Sequence, residues 1–242
     1  MIAMSTPLSV TIVIPVYNEA LIIADSLTKL LTFLSKELLT YGYRILVVDN
    51  ASTDQTADLV SAIARHHPEV SLLRLTEKGK GRAVRAGWDT GGDILVFMDA
   101  DLSSDLSFFP ALITPIASGT ADLAIGNRLG RTSVLISEKR GRKIASQFYN
   151  ALARLLLRTG IDDHQCGFKA ISKNAYARIR PHGIDPGFFF DTELIAWTKK
   201  LGFAIAQIDI RWVDSPVSKV SLFSDSIRMF GSMLELAARL HL

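Results

Sequence analysis

The first hundred residues alternate between short β-branched apolar runs and longer stretches with an apolar residue every three or four positions. Val10 to Val16 (VTIVIPV) reads as a buried strand closed by the turn-like Tyr17-Asn18. Ile23, Leu27, Leu30, Leu31, Leu34 and Leu38 then share one helical face, and Gly42 follows as a stop. Arg44 to Asp49 is a second buried strand, Ser52 to Arg65 a helix with capping side chains at its start, and Val70 to Leu75 a third strand. Gly81 to Trp88 reads as a short helix, and Asp93 to Asp99 as a fourth strand that, like the second, ends on a carboxylate.

The second half is less regular. Ala121 to Gly126, Phe168 to Ile171 and Ala204 to Val213 read as strands, and Arg142 to Arg158 and Phe190 to Leu201 as helices. From Leu222 onward, Phe223, Ile227, Phe230, Met233, Leu234, Ala237 and Leu240 place an apolar face on a closing helix. Strands alternating with helices predict right-handed βαβ units, hence an α/β fold with a mostly parallel sheet and helices on both faces. No repeat, low-complexity tract or Pro/Gly-rich linker divides the chain, so one domain is expected over residues 1–220, with an amphipathic helix at 221–242.

In such sheets ligands bind beyond the carboxyl ends of the strands. Three predicted strand ends are polar: Tyr17-Asn18-Glu19, Asp49-Asn50 and Asp99-Ala100-Asp101. Asp99 and Asp101, two residues apart after an apolar strand, suit a shared Mg²⁺ or Mn²⁺ and the diphosphate it neutralises; the alternative is a pair of solvated loop aspartates. Asp49 can accept from a base or ribose, or cap the turn at Ser52 to Asp54. Pro15 to Glu19 offers a ring to stack on a base and polar groups to orient it, or is a plain strand-to-helix turn. Lys78-Gly-Lys-Gly-Arg82 has neither Walker nor dinucleotide-fold spacing, yet its backbone N–H groups at a helix start are candidates to hold a diphosphate.

Charge adds a division along the chain. Residues 1–121 carry nine Lys and Arg against 13 Asp and Glu, whereas residues 122–242 carry 18 against 11. The basic pentad Lys139-Arg-Gly-Arg-Lys143 lacks the aromatic interleaving of a nucleic-acid site, so no nucleic-acid partner is expected. It reads as a solvated charge run or as an attraction for anionic lipid headgroups, the second being favoured. A single cysteine excludes a disulfide framework and a Cys-rich zinc site, and fits a reducing compartment. Cys166 beside His164 reads as a packed small residue rather than a nucleophile. No run of 18 apolar residues is present and Met1 to Pro7 has no basic leader, so neither a bilayer span nor a signal peptide is expected. The apolar tail is expected to lie in the core, on a partner helix or against a membrane, with any anchor supplied by a partner or a missing segment.

Together these segments resemble the family 2 glycosyltransferases of GT-A fold: Pro15-Val-Tyr-Asn-Glu19, Val48-Asp-Asn-Ala-Ser-Thr-Asp54, Gly79 to Gly87 and Asp99-Ala-Asp101, in that order. Gly126-Asn-Arg128, Arg142-x-x-x-Ser146, Asp163-x-x-Cys-Gly-Phe-Lys169, Phe190-Asp-Thr-Glu193 and Ser218-Lys219 narrow the resemblance to the polyprenyl (dolichyl) phosphate sugar transferases, over residues 10 to about 220. The resemblance implies inverting transfer of a hexose from a nucleotide sugar to polyprenyl phosphate, by an enzyme peripheral to the cytosolic face of a membrane. It places Pro15, Tyr17, Asn18, Glu19, Asp49 and Lys80 around the nucleotide sugar, Asp99 and Asp101 at the diphosphate and metal, and Arg128, Arg142, Ser146 and Lys219 near the reacting phosphates. Mannosyl members often carry a metal-ligating Gln two residues after the second Asp; here that place is Ser103, which binds through water or leaves the ligand to come from elsewhere. Trp212 ahead of Ser218-Lys219 looks more like the glucosyl branch, so UDP-glucose is expected ahead of GDP-mannose. Asp191 or Glu193 is expected to orient a sugar hydroxyl or an Arg, or simply to favour the helix dipole.

Overall fold

Neighbouring side chains of a strand point to opposite faces of its sheet, and the apolar runs here use both. In Ser9–Val16 (β1), Ile12 and Ile14 enter one core and Val13 the other, all essentially inaccessible to water. Ile94–Met98 (β4) does the same, with Val96 and Met98 on the first side and Leu95 and Phe97 on the second. A continuous apolar run is what a strand covered on both faces requires.

The computed structural model describes residues 7–38, 40–136, 140–183, 185–213 and 224–241, with backbone alone for 140–144, 224–228 and 241. After β1 come Ile23–Glu37 (α1), Gly42–Asn50 (β2), Thr56–Ala64 (α2), Val70–Leu75 (β3), Lys80–Trp88 (α3) and β4. A 3₁₀ turn at Leu106–Phe108 leads into Phe109–Ala117 (α4), then Leu123–Asn127 (β5), Val134–Ile136 (β6), Arg140–Leu157 (α5), Phe168–Ser172 (β7) and Lys173–Ile179 (α6). Phe190–Lys200 (α7), Ile205–Asp209 (β8), Arg211–Val213 (β9) and Ser224–His241 (α8) complete the order.

The main sheet runs β3-β2-β1-β4-β7-β5-β8, parallel throughout except for β7, which is antiparallel to both neighbours. Its α1, α2 and α4 face supports one core; the other is closed by α3, α5, α6, α7 and α8. The reversed strand has a direct consequence. An antiparallel strand begins where its parallel neighbours end, so the residues just before Phe168 arrive at the carboxyl edge, Phe168 lying opposite Met98. Met233, Leu236 and Leu240 bury one side of α8, while Phe230 and Leu234 remain about half exposed. Among the described residues no helix is long and apolar enough to cross a membrane.

Among the elements that differ from the sequence expectation, three have a plain physical cause. The stretch Ala204 to Val213 is two strands, because the chain leaves the main sheet at buried Ile210 and β9 pairs with β6 in a separate two-stranded ribbon. Helix α2 starts at Thr56 rather than Ser52, because residues 52–54 are spent on the β1 turn: Asn18 N–H donates to Ser52 Oγ (2.9 Å) and Thr53 N–H to Asn18 Oδ1 (2.8 Å). Helix α4 had no counterpart in the sequence reading; Pro110 in its first turn and Pro115 inside it mask its periodicity.

Helix α3 owes its close seat on the sheet to Gly87, where a Cβ would come within 2.5 Å of a Val13 methyl. Gly87→Ala is expected to cost about 1–3 kcal/mol by overpacking, and Val13→Ala in the same chain to recover part of that loss. Urea unfolding of the two single variants and the double variant measures the coupling.

Candidate active site

The site is assembled at the carboxyl edge, where the turns after β1, β2 and β4 meet the segment that precedes β7. The β1 turn is fastened to the β2 turn. Asn18 sits in the left-handed region at φ 55°, Glu19 N–H donates to Thr56 Oγ1 (2.8 Å) and Ala20 N–H to Asp54 Oδ2 (3.2 Å). Asp49, buried at the end of β2, accepts from Ser52 N–H at 3.0 Å and faces Arg74 Nε at 3.4 Å. It holds its own turn, one of the two roles its sequence allowed. Pro15 stays in β1, paired with Val48 across the strand. The Tyr17 ring carries the Lys78 ammonium 4.1 Å from its centre, and Lys78 also donates to the Tyr17 hydroxyl.

Three backbone donors of the Lys78 to Arg82 segment are engaged within the protein: Gly79 N–H with Asn50 Oδ1 (2.7 Å), Gly81 N–H with Gly187 O (3.1 Å) and Arg82 N–H with Pro186 O (3.0 Å). A Cβ at Gly79 would meet Pro186 O at 2.4 Å, and one at Gly81 would meet Phe190 Cβ at 2.5 Å. These glycines let the loop before α7 lie against α3, and what reaches the site is the Lys80 side chain.

Lys80 lies in an alternating row of charges. Its ammonium is 2.9 Å from Asp99 Oδ1 and 3.5 Å from Asp191 Oδ2. The other oxygen of Asp191 accepts from Lys169 at 2.6 Å, and Lys169 also donates to the carbonyls of His164 (3.1 Å) and Cys166 (2.5 Å). Lys169 is wholly buried, whereas the Asp99 side chain is 45% exposed. Burial pushes the Asp99 pKa up and the neighbouring Asp101 adds to it, with Lys80 opposing. Burial disfavours the Lys80 ammonium, but Asp191 and Asp99 together raise its pKa well above the ordinary lysine value.

The segment before β7 joins this row to the basic side. Gly167 O accepts from Asp99 N–H (3.1 Å), and a Cβ at Gly167 would fall 1.9 Å from Asp99 Oδ2, so only glycine permits the approach. Four residues earlier, buried Asp163 grips Arg128 through Nε (2.6 Å) and Nη2 (2.9 Å) and also accepts its backbone N–H (3.1 Å). Burial alone would raise the Asp163 pKa, but Arg128 overrides it and holds the carboxyl below the usual range. Among the described residues this leaves three of the five guanidinium donors unengaged. The Trp212 ring lies 5.3 Å from the guanidinium carbon. Asp209 ties the loop behind it, accepting from Asn127 Nδ2 (2.9 Å) and from Thr132 N–H (3.1 Å).

Ser146, on α5, is linked inward rather than to Arg128. Asn150 Nδ2 donates to Ser146 O (3.0 Å), while its Oδ1 accepts both the backbone and the Nδ1 hydrogens of His164 (2.8 and 3.0 Å). That assignment leaves His164 Nε2 to accept from Thr159 at 2.8 Å. The side chain of Arg142, and Ser218 and Lys219 entirely, lie outside the described residues. Cys166 is buried and its thiol is pushed up to about 12, as expected of a packed residue. Glu193 accepts from Arg239 (3.0 Å) and from Asp185 N–H (2.9 Å), fastening α8 and the loop before α7.

Among the described residues no three His, Cys, Asp or Glu side chains gather to hold a metal by themselves. Asp101 Oδ1 accepts Ser103 N–H (3.0 Å), and Ser103 Oγ is buried with no hydrogen-bond partner among the described residues. Two carboxylates and an orphan hydroxyl fit a hard cation that completes its shell with phosphate oxygens, as Mg²⁺ commonly does.

Lys169 and Asp163 had only a place in a motif, with no role assigned to either. The available signal was a lysine inside the apolar strand Phe168-Lys-Ala-Ile171, since a charge in a two-sided buried strand needs a buried partner.

A carboxyl-edge site with a D-x-D pair on a mixed seven-stranded sheet defines a GT-A fold, and the comparisons with known proteins agree. The model of glycosyl transferase family 2 matches residues 11–180, and the chain belongs to that family. It is 30% identical over 234 residues to glycosyltransferase AglD of Haloferax volcanii, covering 96% of this chain but only 37% of that protein. It is 31% identical over 240 residues to the dolichyl-phosphate beta-glucosyltransferase of Saccharomyces cerevisiae, covering 90% of this chain and 71% of that one. The crystal structure of glucosyl-3-phosphoglycerate synthase from Mycobacterium tuberculosis with Mn²⁺, UDP and glucosyl-3-phosphoglycerate superposes with a TM-score of 0.70. The identity is 20%, over 96% of this chain and 80% of that one.

The neutral His164 predicts acid sensitivity. Burial first, and then the nearby Lys169, lower its pKa to about 4. The unfolded chain takes up this proton near pH 6.5, so the stabilisation is complete above that and lost as pH falls toward 4, by about 3 kcal/mol in all. Unfolding free energies at pH 7.5 and 5 should fall further in the native chain than in His164→Gln; equal falls would remove His164 as the cause.

Proposed function

We propose that this chain transfers glucose from UDP-glucose to the phosphate of a polyprenyl or dolichyl phosphate, with inversion, at the cytosolic face of a membrane. The observation that carries the reading is the placement of Asp99 and Arg128 on either side of one short segment, Asp163 to Gly167, which binds both. Such a pair suits a reaction between a nucleotide diphosphate on one side and an anionic acceptor on the other. The yeast and Haloferax relatives support the reaction class, and the yeast protein's name supports the acceptor and sugar.

An acceptor phosphate is anionic near neutral pH. Its oxygen forms the bond to the anomeric carbon as the bond from that carbon to the diphosphate breaks, so no proton need be removed and no catalytic base is assigned. The chain supplies positioning and charge. Arg128, held rigid by Asp163, offers its remaining donors to a phosphate, a task for which paired N–H groups are well suited. Asp99 and Asp101, with Ser103 nearby, would hold Mg²⁺ or Mn²⁺, which when bound supplies charge stabilisation to the leaving diphosphate. Tyr17, Asn18, Glu19 and Asp49 frame the nucleotide end, and Lys80 reaches the diphosphate end. Arg142, Ser146 and Lys219 are assigned to the acceptor phosphate, and the half-exposed Phe230 and Leu234 of α8 to the membrane surface.

Radiolabelled UDP-glucose, GDP-mannose and UDP-GlcNAc, each offered with dolichyl phosphate and Mn²⁺ or Mg²⁺, test the reading. A glucolipid from UDP-glucose is expected; no lipid-linked product from any donor would sink it. Asp101→Ala should abolish metal-dependent turnover. Arg142→Ala should impair lipid kinetics far more than nucleotide titration, and equal losses in both would take Arg142 from the acceptor side.

A further inference from the structure

Lys80 is shared unequally between two carboxylates. Asp191 already has a buried partner in Lys169, at 2.6 Å, whereas Asp99 stands at the open edge with Lys80 on its Oδ1 at 2.9 Å. That same oxygen is a natural ligand for a divalent cation, and a metal ion and an ammonium on one carboxylate oxygen repel each other. Binding of metal at Asp99 therefore requires Lys80 to leave. A second anionic oxygen lies close by, since Asp191 Oδ2 is 3.5 Å from the ammonium, and an entering diphosphate would bring more.

We infer that Lys80 is a tethered counter-ion that keeps a bare divalent cation off Asp99 and gives way when the cation enters with a nucleoside diphosphate. The metal site is thereby conditional on the nucleotide. The inference rests on the reading of Asp99 as a ligand at the donor diphosphate, and it adds an order of assembly to that reading. Asp191 acts as the anchor: pinned by Lys169, it keeps Lys80 beside the site in both states. Lys80 is only 13% exposed, so its amine has few alternatives in solvent.

The test uses Mn²⁺ alone, Mn²⁺ with UDP and Mn²⁺ with GDP, with free Mn²⁺ followed by electron paramagnetic resonance. The native chain should bind Mn²⁺ at least tenfold more tightly with its nucleotide than without. Lys80→Met should bind Mn²⁺ alone at least tenfold more tightly than the native chain, a difference of 1.4 kcal/mol, and Lys80→Met with Asp99→Asn should lose that gain. Unchanged or weaker affinity in folded Lys80→Met would overturn the inference. Should that variant fail to fold, native protein that binds Mn²⁺ equally well with and without either nucleotide would overturn it as well. Because no turnover is measured, a wrong acceptor or sugar would show in the lipid assay and leave these titrations intact.

Discussion

A lysine with no access to water, placed in an interior strand of a covered sheet, is the constraint around which this site is built. Burying an unpaired ammonium is far costlier than burying a paired one, and removing one partner of a buried pair typically costs about 3–5 kcal/mol. Lys169 meets that demand with Asp191 and two carbonyls. Those carbonyls belong to His164 and Cys166, so the ammonium also shapes the segment that touches Asp99 and grips Arg128. One charge thus sets the geometry of both halves of the site. Replacing the pair by apolar residues need not destabilise the fold; what it would remove is the placement of Asp191, Lys80 and the segment from Asp163 to Gly167.

The reversed strand makes this possible. If β7 ran parallel, the residues before it would emerge at the far edge of the sheet. Antiparallel pairing instead delivers Asp163 to Gly167 to the edge where β1, β2, β4 and β5 end. The uneven charge of the chain is not carried into the site: Asp99 pairs with Lys80 within the first half, and Asp163 with Arg128 within the second. Charge is balanced within the site rather than split cleanly between the two ends of the chain.

The fold of the first hundred residues was legible because each strand there is an unbroken apolar run ended by a polar turn, and each helix a clear three-to-four repeat. The rest of the chain was harder for physical reasons. Two prolines hide α4, and Ala204 to Val213 keeps one apolar character while its backbone changes sheets at Ile210. At the site, Asp99 and Asp101 could be found from their spacing after a strand. The glycines of Gly79-Lys-Gly81 could not be understood that way, since a glycine that admits a phosphate and one that admits a distant loop look alike in sequence. Asp163 and Asp191 were likewise visible as motif members, but their partners, 35 and 22 residues away, are set by tertiary pairing.

A crystal structure of the protein with UDP and Mn²⁺ tests the proposal that the edge formed by Asp99, Asp101 and Lys80 receives the diphosphate of a nucleotide sugar. The metal is expected on the D-x-D carboxylates, the diphosphate beside it, and Lys80 moved from Asp99 to Asp191 or the phosphates. UDP bound elsewhere, with Lys80 still paired to Asp99, would contradict it.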